Sequence, residues 1–503
     1  MNDHHKSSYT QILKSSAIVG GAQGIELLIR MVRIKLVAIL LGPSGVGLIG
    51  LYQSIIEFAG KLSGLGIRSS AVRQVAEANG SGDFERLGQT VKVLRHTCWI
   101  TGFAGWILML SLAQPLSIWT FGSDEHAWAL AILGAVLLLD NISGGQSALV
   151  QGVRRINDLA RIMIFSAMGS TLISVILYAW LGERGIVAAL LASAAITLTF
   201  SWWFSSQVAA PAKVMKWLEI AREARPLLSL GLAFMWSGII TAGVAFATRG
   251  LIIRGFGIDA SGIYQAAWGI SGLFAGFVLS AMGQDFYPRL TAVAHQNNYV
   301  NQLVNEQTEV GILLALPGLL ATLAFSPWVI QIFYTAKFLT AADMLPWFVL
   351  GILGRVISWP VGFIQLAKGS SIIFAATETA ANALHLFFIW VGLQYLGIVG
   401  VAVAFALLYA CHSAVVFLVA VRLSDFRWSI SVMKLICYSA LFIVVEFGIL
   451  KLLTGLVAVI ASMVLVLVSG IYCLRQLILR LGPEHRISKL AAVIPLVGRY
   501  FKV

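Results

Sequence analysis

The chain has 503 residues, of which 59% are hydrophobic and 11% charged, with 48 Gly, 15 Trp and 11 Pro. Soluble domains carry about 25% charged residues, so this composition excludes a water-soluble globule of the same size, and with it disordered, collagen-like and disulfide-scaffolded chains. The formal charge of +13, from 35 Lys and Arg against 22 Asp and Glu, would point to nucleic acid in a soluble protein; here the basic residues sit in short connections between apolar runs, where they set topology, and no nucleic-acid partner is expected.

The apolar runs are continuous rather than alternating, which fits helices and not the strands of a β-barrel. A hydrocarbon core about 30 Å thick takes roughly 20 helical residues. Runs of that kind are predicted at 12–41, 45–67, 88–113, 127–151, 160–181, 185–208 and 226–255. They continue at 260–284, 304–333, 343–366, 370–395, 397–421, 431–451 and 454–480. The expected fold is an all-α polytopic membrane protein of about 14 transmembrane helices. Residues Met1 to Ser8 are polar and lack a signal peptide's apolar core and cleavage site, so the first span is expected to be retained. Cys98, Cys411, Cys437 and Cys473 all lie in apolar runs without metal-ligand spacing and read as small buried hydrophobes.

With the N-terminus inside, about 25 Lys and Arg fall in cytoplasmic connections, while the outer ones hold only Arg184, Arg254, Lys337 and Lys451. Both termini are therefore expected to be cytoplasmic.

The chain also resembles itself. Gly42-Pro-Ser-Gly-Val-Gly-Leu aligns with Gly257-Ile-Asp-Ala-Ser-Gly-Ile, and Leu181-Gly-Glu-Arg-Gly-Ile aligns at the same offset of 215 with Leu396-Gly-Ile-Val-Gly-Val. A duplication of six spans returns to its starting side, so the two repeats run in the same sense, as parallel repeats do in some transporters. The expected organisation is an N-lobe over 1–210, a cytoplasmic linker at 211–225, a C-lobe over 226–424, two additional helices over 425–482 and a basic tail at 483–503. In that tail Ile487, Leu490, Ala491 and Ile494 keep helical spacing among Arg486, Lys489, Arg499 and Lys502; this fits an interfacial helix on anionic headgroups or a solvated tail.

An ionised side chain at mid-bilayer costs about 2.5–3.5 kcal/mol even on the lenient insertion scale, so such residues face protein or a wet cavity. The first span carries Glu26, Arg30 and Arg33 on one face, with Lys35 nearer its outer end; the second carries Glu57 and Lys61. Asp140 falls in the fourth span, Arg249 in the seventh, Arg355 in the tenth, and Glu378 and His385 in the eleventh. Shifting Arg33 by 215 reaches Thr248, beside Arg249. The first helices of the two repeats are thus expected to face each other across a central cleft lined by Arg30, Arg33 and Arg249, with Arg355 and Lys61. A net-basic cleft suits an anion, and guanidinium forks suit phosphate oxygens. Two readings remain open for the acids. Glu26–Arg30 and Glu57–Lys61 neutralise one another as intrahelical pairs, or Asp140, Glu378, Glu26 and Glu57 take a coupling proton or cation.

No zinc-type His-Glu-x-x-His, Gly-Lys-Ser/Thr phosphate loop or Gly-x-Ser-x-Gly is present, and the outer loops are too short to carry an enzyme's acids and bases. A transporter without metal or other cofactor is expected, rather than a polymerase or ligase.

The run Lys14-Ser-Ser, then Gly20-Gly21, then Leu41-Gly-Pro-Ser-Gly-Val-Gly-Leu-Ile-Gly-Leu-Tyr-Gln-Ser resembles bacterial O-antigen translocases. These are oligosaccharide flippases of the multidrug/oligosaccharidyl-lipid/polysaccharide exporter superfamily. Leu65-Gly-Ile-Arg-Ser-Ser-Ala-Val-Arg-Gln-Val-Ala-Glu-Ala is also similar to theirs. The resemblance implies movement of an undecaprenyl-pyrophosphate-linked oligosaccharide from the cytoplasmic to the periplasmic leaflet of the inner membrane by alternating access. It implies a cavity-basic role for Arg30, Arg33 and Arg249, and a place beside the polysaccharide polymerase and chain-length machinery. An ion-coupled exporter of cationic or drug-like solutes with the same fold is the alternative, and would favour an acidic, aromatic-lined cavity.

Overall fold

The computed structural model describes residues 2–80, 83–208 and 217–481. The described chain is helical throughout its ordered elements: α1 (Asn2–Gly64), α2 (Ile67–Gly80), α3 (Phe84–Phe121), α4 (Ala127–Gly152), α5 (Ile156–Leu181), α6 (Gly185–Ser206), α7 (Trp217–Phe256) and α8 (Ile258–Ala292). There follow α9 (Asn297–Ala324), α10 (Ser326–Phe333), α11 (Leu345–Ala367), α12 (Ser371–Leu396), α13 (Val399–Ser424), α14 (Ile430–Leu452) and α15 (Gly455–Leu481), with 3₁₀ turns at Gly182–Arg184 and Ala336–Asp343. Residues 211–216 of the expected linker and the tail at 483–503 lie outside the described residues.

Eleven segments among the described residues are long and apolar enough to cross a bilayer, as a multi-pass membrane protein requires. Two of the long ones are broken inside. Gly21–Gly64 has 44 residues and is broken at Gly42 (φ 67°, ψ −165°), and Ile156–Ser206 has 51 and is broken at Gly182 (φ 57°, ψ −137°). At 1.5 Å per residue each stretch is about two crossings long.

The breaks repeat. Left-handed φ values occur at Gly42 (67°) and Gly257 (86°), at Arg154 (59°) and Gly369 (71°), and at Gly182 (57°) and Gly397 (61°). Each pair is separated by the 215 residues read from the sequence. Contacts repeat as well. A Cβ at Gly185 would stand 2.6 Å from the Leu177 carbonyl oxygen, and one at Gly400 would overlap the carbonyl oxygen of Gly392, both partners being displaced by the same offset. α5 and α12 begin and end at equivalent positions. The duplication is therefore written in the backbone, where only the glycines made it visible in the sequence.

Packing divides the chain into two compact units, Met1–Gly262 with Phe333–Thr335, and Ile263–Ile332 with Ala336–Val503. The sequence repeat starts its second half at 226, whereas the first unit runs to Gly262. The reason is α7, which packs on α1, α2 and α3. Phe246 stacks on Phe58 (6.1 Å between centroids) and meets Trp119 (5.1 Å), while Gly243 and Gly250 admit Phe58 and Trp119 closely.

Also in the first unit, the short helix α2 was not foreseen as an element. Ile67, Ala71, Val75 and Ala78 form its buried stripe at spacings of four, four and three, against Leu87, Val91, Leu94 and Cys98 of α3 and Ala148 and Leu149 of α4. Arg68 and Arg73 remain exposed on its other face.

The second unit has an aromatic centre, with Trp268 edge-on to Phe405 (5.2 Å) and Phe348 (5.5 Å). Its last two helices are fastened to α9 by polar groups. Asn301 Nδ2 donates to the Ser424 and Asp425 carbonyls (both 3.2 Å), Asn305 Nδ2 donates to the Arg427 carbonyl (3.0 Å), and Asn305 Oδ1 accepts from the Ser429 amide (2.8 Å). Arg480 of α15 and Ser431 of α14 both donate to Glu309 of α9. Of the cysteines, Cys98 and Cys473 are buried, Cys411 is half-buried, and Cys437 is exposed on α14 rather than enclosed; all four are free thiols.

Replacing Gly400 by Ala drives a methyl into the Gly392 backbone, and overpacking of this kind costs about 1–3 kcal/mol. Gly400→Ala is expected to lower the thermal unfolding midpoint in detergent, while Gly470→Ala, which meets no atom within 4 Å, leaves it unchanged or higher.

Candidate functional site

The first unit gathers Arg30, Arg33, Lys61 and Arg249, together with Glu26, Glu57 and Asp140; Arg355 and Glu378 belong to the second. On α1, Arg33 Nη2 donates to Ser174 Oγ on α5 (3.1 Å), and Ser174 in turn shares a hydrogen bond with Ser193 of α6 (3.3 Å). Arg30 is exposed, and its charge acts on Tyr334. Burial pushes the Tyr334 phenol up to about 12, with Arg30 pulling the other way. Lys35 donates to the Tyr334 carbonyl.

Neither expected intrahelical pair closes. Among the described residues no carboxylate lies within ion-pair distance of Arg30, Arg33 or Lys61. Arg33 is therefore answered by a neutral hydroxyl, which accepts from Nη2 and leaves its charge standing. Arg249 is 7% exposed and donates from Nη1 to the Ala245 carbonyl (2.9 Å), one turn back on its own helix.

These cations sit at different depths. The Lys61 stem rests against α7 at Gly238, 3.5 Å from where a Cβ would stand. Arg249 lies eleven residues further along the same helix, about 16 Å along the axis. The Arg249 guanidinium reaches back one turn toward that level, to Ala245.

In the first unit Asp140 is exposed on α4 within the field of Arg68. In the second, the exposed Arg355 of α11 and the half-buried Glu378 of α12 both act on Tyr409 of α13, and Tyr409 meets His412 edge-on at 5.9 Å. Asn382 donates to the Glu378 carbonyl (2.9 Å). Asp140 and Arg355 occupy equivalent positions of the two repeats, 215 residues apart, with opposite charge. Among the described residues no group of three His, Cys, Asp or Glu side chains is placed to hold a metal ion.

The family model for polysaccharide biosynthesis proteins matches residues 36–343, more than half of the chain. The chain belongs to the polysaccharide biosynthesis protein family. It is also 23% identical over 388 residues to lipid III flippases of Escherichia coli (strain K12) and Shigella flexneri, covering 75% of this chain and 90% of each relative. Among solved structures, an inward-facing MATE family transporter of the MOP superfamily superposes with a TM-score of 0.65 at 17% identity, covering 80% of this chain and 95% of that one. The lipid II flippase MurJ, in an inward closed conformation, superposes with a TM-score of 0.63 at 15% identity, covering 92% and 99%. At these identities the two structures establish the fold that this family member shares with them.

Several polar contacts of the family member had no sequence signal beyond an isolated polar residue. Glu446 is fully buried on α14 and accepts from Ser462 of α15 (2.6 Å), and a carboxyl inside an apolar run was the available clue. Ser44 donates to Glu183, and Tyr52 pairs with His126 Nδ1 at 2.9 Å. The His126 ring, at the start of α4, also stacks on Phe121 with centroids 3.9 Å apart. Burial holds its pKa below the ordinary 6.5, against the opposing pull of Glu125.

A histidine kept neutral by folding stabilises fully above its unfolded value, and that contribution is lost as pH falls below it. Between about pH 7.5 and about pH 5.5 the thermal midpoint is therefore expected to drop further in the native chain than in His126→Gln. Equal drops would remove His126 from the acid response.

Proposed function

We propose that this chain is a flippase that moves a lipid-linked oligosaccharide across the bacterial inner membrane by alternating access, with both termini cytoplasmic. The carrying observation is the pair Arg30 and Arg33 in a bilayer-spanning helix without a neutralising carboxylate among the described residues. A guanidinium left charged at such depth is expensive unless an anion uses it. Unpaired pyrophosphate faces the converse problem, since bringing an ion into hydrocarbon costs tens of kcal/mol by Born estimates. Each removes the other's penalty. Likeness to lipid III flippases over 90% of their length supports the same cargo class, and the cargo proposed is an undecaprenyl-pyrophosphate-linked repeat unit of a surface polysaccharide such as O-antigen.

Arg30 and Arg33 are assigned the pyrophosphate, and Arg249 a second contact nearer the outer end of α7. Arg355, whose charge acts on Tyr409 as that of Glu378 does, is assigned to the sugar-bearing part. Asp140, Glu378, Glu26 and Glu57 are candidates for ion coupling, and the polysaccharide polymerase and chain-length machinery are the proposed downstream partners. An exporter of cationic drugs, as the MATE fold permits, would need acids free to meet its cargo, and Asp140 instead lies in the field of Arg68.

Arg33→Gln separates charge from structure, because the amide retains a donor for Ser174. In a strain lacking the native protein, Arg33→Gln and Arg249→Ala are each expected to reduce surface glycan by at least about tenfold, the loss of one charge-assisted contact, at normal protein level. Full glycan with Arg33→Gln would make the residue a tie between α1 and α5. Asp140→Asn is expected to weaken the dependence of transport on an imposed ion gradient, and unchanged dependence would assign Asp140 a structural role.

A further inference from the structure

Arg95 of α3 carries a guanidinium fork of N–H donors, yet among the described residues none of them finds an acceptor. Its Nε is buried without a partner, and no carboxylate stands within ion-pair distance. The guanidinium instead lies over the Trp202 ring of α6, with Cζ 5.3 Å from the ring centroid. An indole face attracts the cation while leaving its hydrogen bonds unmade. α4 floors the gap between the two helices. Gly145 admits Cys98, one turn on from Arg95, and Gln146 accepts from Ser205, one turn on from Trp202 (2.7 Å).

The neighbouring surfaces define the depth of this pair. From Arg95 the same side of α3 runs on through Trp99, Phe103, Ile107 and Leu110, all exposed, a stripe that suits acyl chains. On α6, Trp202 and Trp203 are exposed and are followed by exposed Ser206 and Gln207. Both helices thus change from apolar to polar at one level, where aromatic belts stand in membrane proteins. Beyond that level the charge is basic. Lys92 lies one turn before Arg95, and Arg155 of the α4–α5 turn donates to Gln207 (3.1 Å), with exposed Arg154 beside it. The acid of that turn, Asp158, is already held by Arg155 (2.6 Å) and Arg161 (3.2 Å). α7 lies on the other side of α3, where Ala224 meets Val93.

We propose that Arg95 and Trp202 form a binding site for the headgroup of an anionic phospholipid. The phosphodiester takes the Nη donors that no protein group accepts, as guanidinium forks do with phosphate oxygens. The acyl chains continue along Trp99 and Phe103. Basic pockets between helices at the membrane surface hold anionic lipids in this way. A zwitterionic choline lipid would bring a second cation among Lys92, Arg154 and Arg155. The proposed topology makes this the inner leaflet, and the site itself does not depend on the identity of the cargo.

Native mass spectrometry of the full-length chain in detergent tests the site, with phosphatidylglycerol and phosphatidylcholine of matched acyl chains as the probes. Phosphatidylglycerol is expected to bind the native chain about tenfold more tightly, the worth of one charge-assisted contact. Arg95→Gln should erase most of that preference. Trp202→Leu should weaken it by about two- to fivefold, the range of an exposed cation–π contact. Arg86→Gln, which removes an exposed charge of the same helix paired with Glu77 (3.3 Å), should leave it whole.

Equal binding of the two lipids to the native chain would overturn the proposal, and so would a preference that survives Arg95→Gln. Displacement of bound phosphatidylglycerol by inorganic phosphate would give the site to a soluble anion instead. A preference lost in Arg33→Gln but kept in Arg95→Gln would put the lipid in the cargo path and equally overturn it. If Arg95→Gln fails to accumulate, Trp202→Leu against Arg86→Gln decides the matter. Loss of glycan in Arg33→Gln with the lipid preference intact concerns the cargo alone, so the two readings fail separately.

Discussion

A charged guanidinium inside a hydrocarbon layer has to be answered by something, and what answers it decides what the helix around it can do. In α1 the answer to Arg33 is Ser174, backed by Ser193. A hydroxyl accepts a hydrogen bond while cancelling no charge, so the positive field survives. A carboxylate at the same place would have quenched it. The rest of the first unit is arranged so that this helix can be polar along one side. α5 and α6 present small hydroxyl residues, α7 presents glycines where Phe58 and Lys61 need room, and α2 closes one end with an apolar stripe. Polar contacts in membranes are individually modest, often about 0.6 kcal/mol, so the arrangement works by matching many partners rather than by one strong bond.

Duplication supplies the second organising constraint. Three pairs of left-handed backbone positions and two pairs of close contacts recur at one offset, which means the hinge and turn geometry was copied while the polar residues diverged. Asp140 and Arg355 are the clearest instance, one position with two charges. Arg30 has Ala245 as its equivalent and Lys61 has Gly276. The two repeats thus share a backbone plan while differing in the charges they carry.

The spans and the repeat could be read from the sequence because both depend on local properties. An apolar run about 20 residues long has few alternatives in a bilayer, and a glycine forced to positive φ leaves its mark even where neighbours drift. Other features depend on partners that no run of sequence contains. The stripe of α2 is four apolar residues interrupted by charges, too short and too polar to stand out. That the Lys61 stem rests on α7 at Gly238 follows from the packing of α1 on α7, which no run of sequence contains. The pairing of Glu309 with Arg480 joins residues 171 positions apart, and Arg154 adopts a left-handed φ that only its glycine equivalent, Gly369, would suggest.

The asparagine pair on α9 has a consequence for the last two helices. Asn301 and Asn305 lie one turn apart and hold the chain between α13 and α14 through its amides and carbonyls, while Glu309, a further turn along, is held by α14 and α15. Three successive turns of α9 thus present polar groups to the chain that follows α13, the asparagines to residues 424–429 and Glu309 to α14 and α15. A truncation before residue 425 would strip Asn305 and Glu309 of these partners. The terminal pair is therefore a sheath for α9, bound to travel with it whatever tilt α9 adopts.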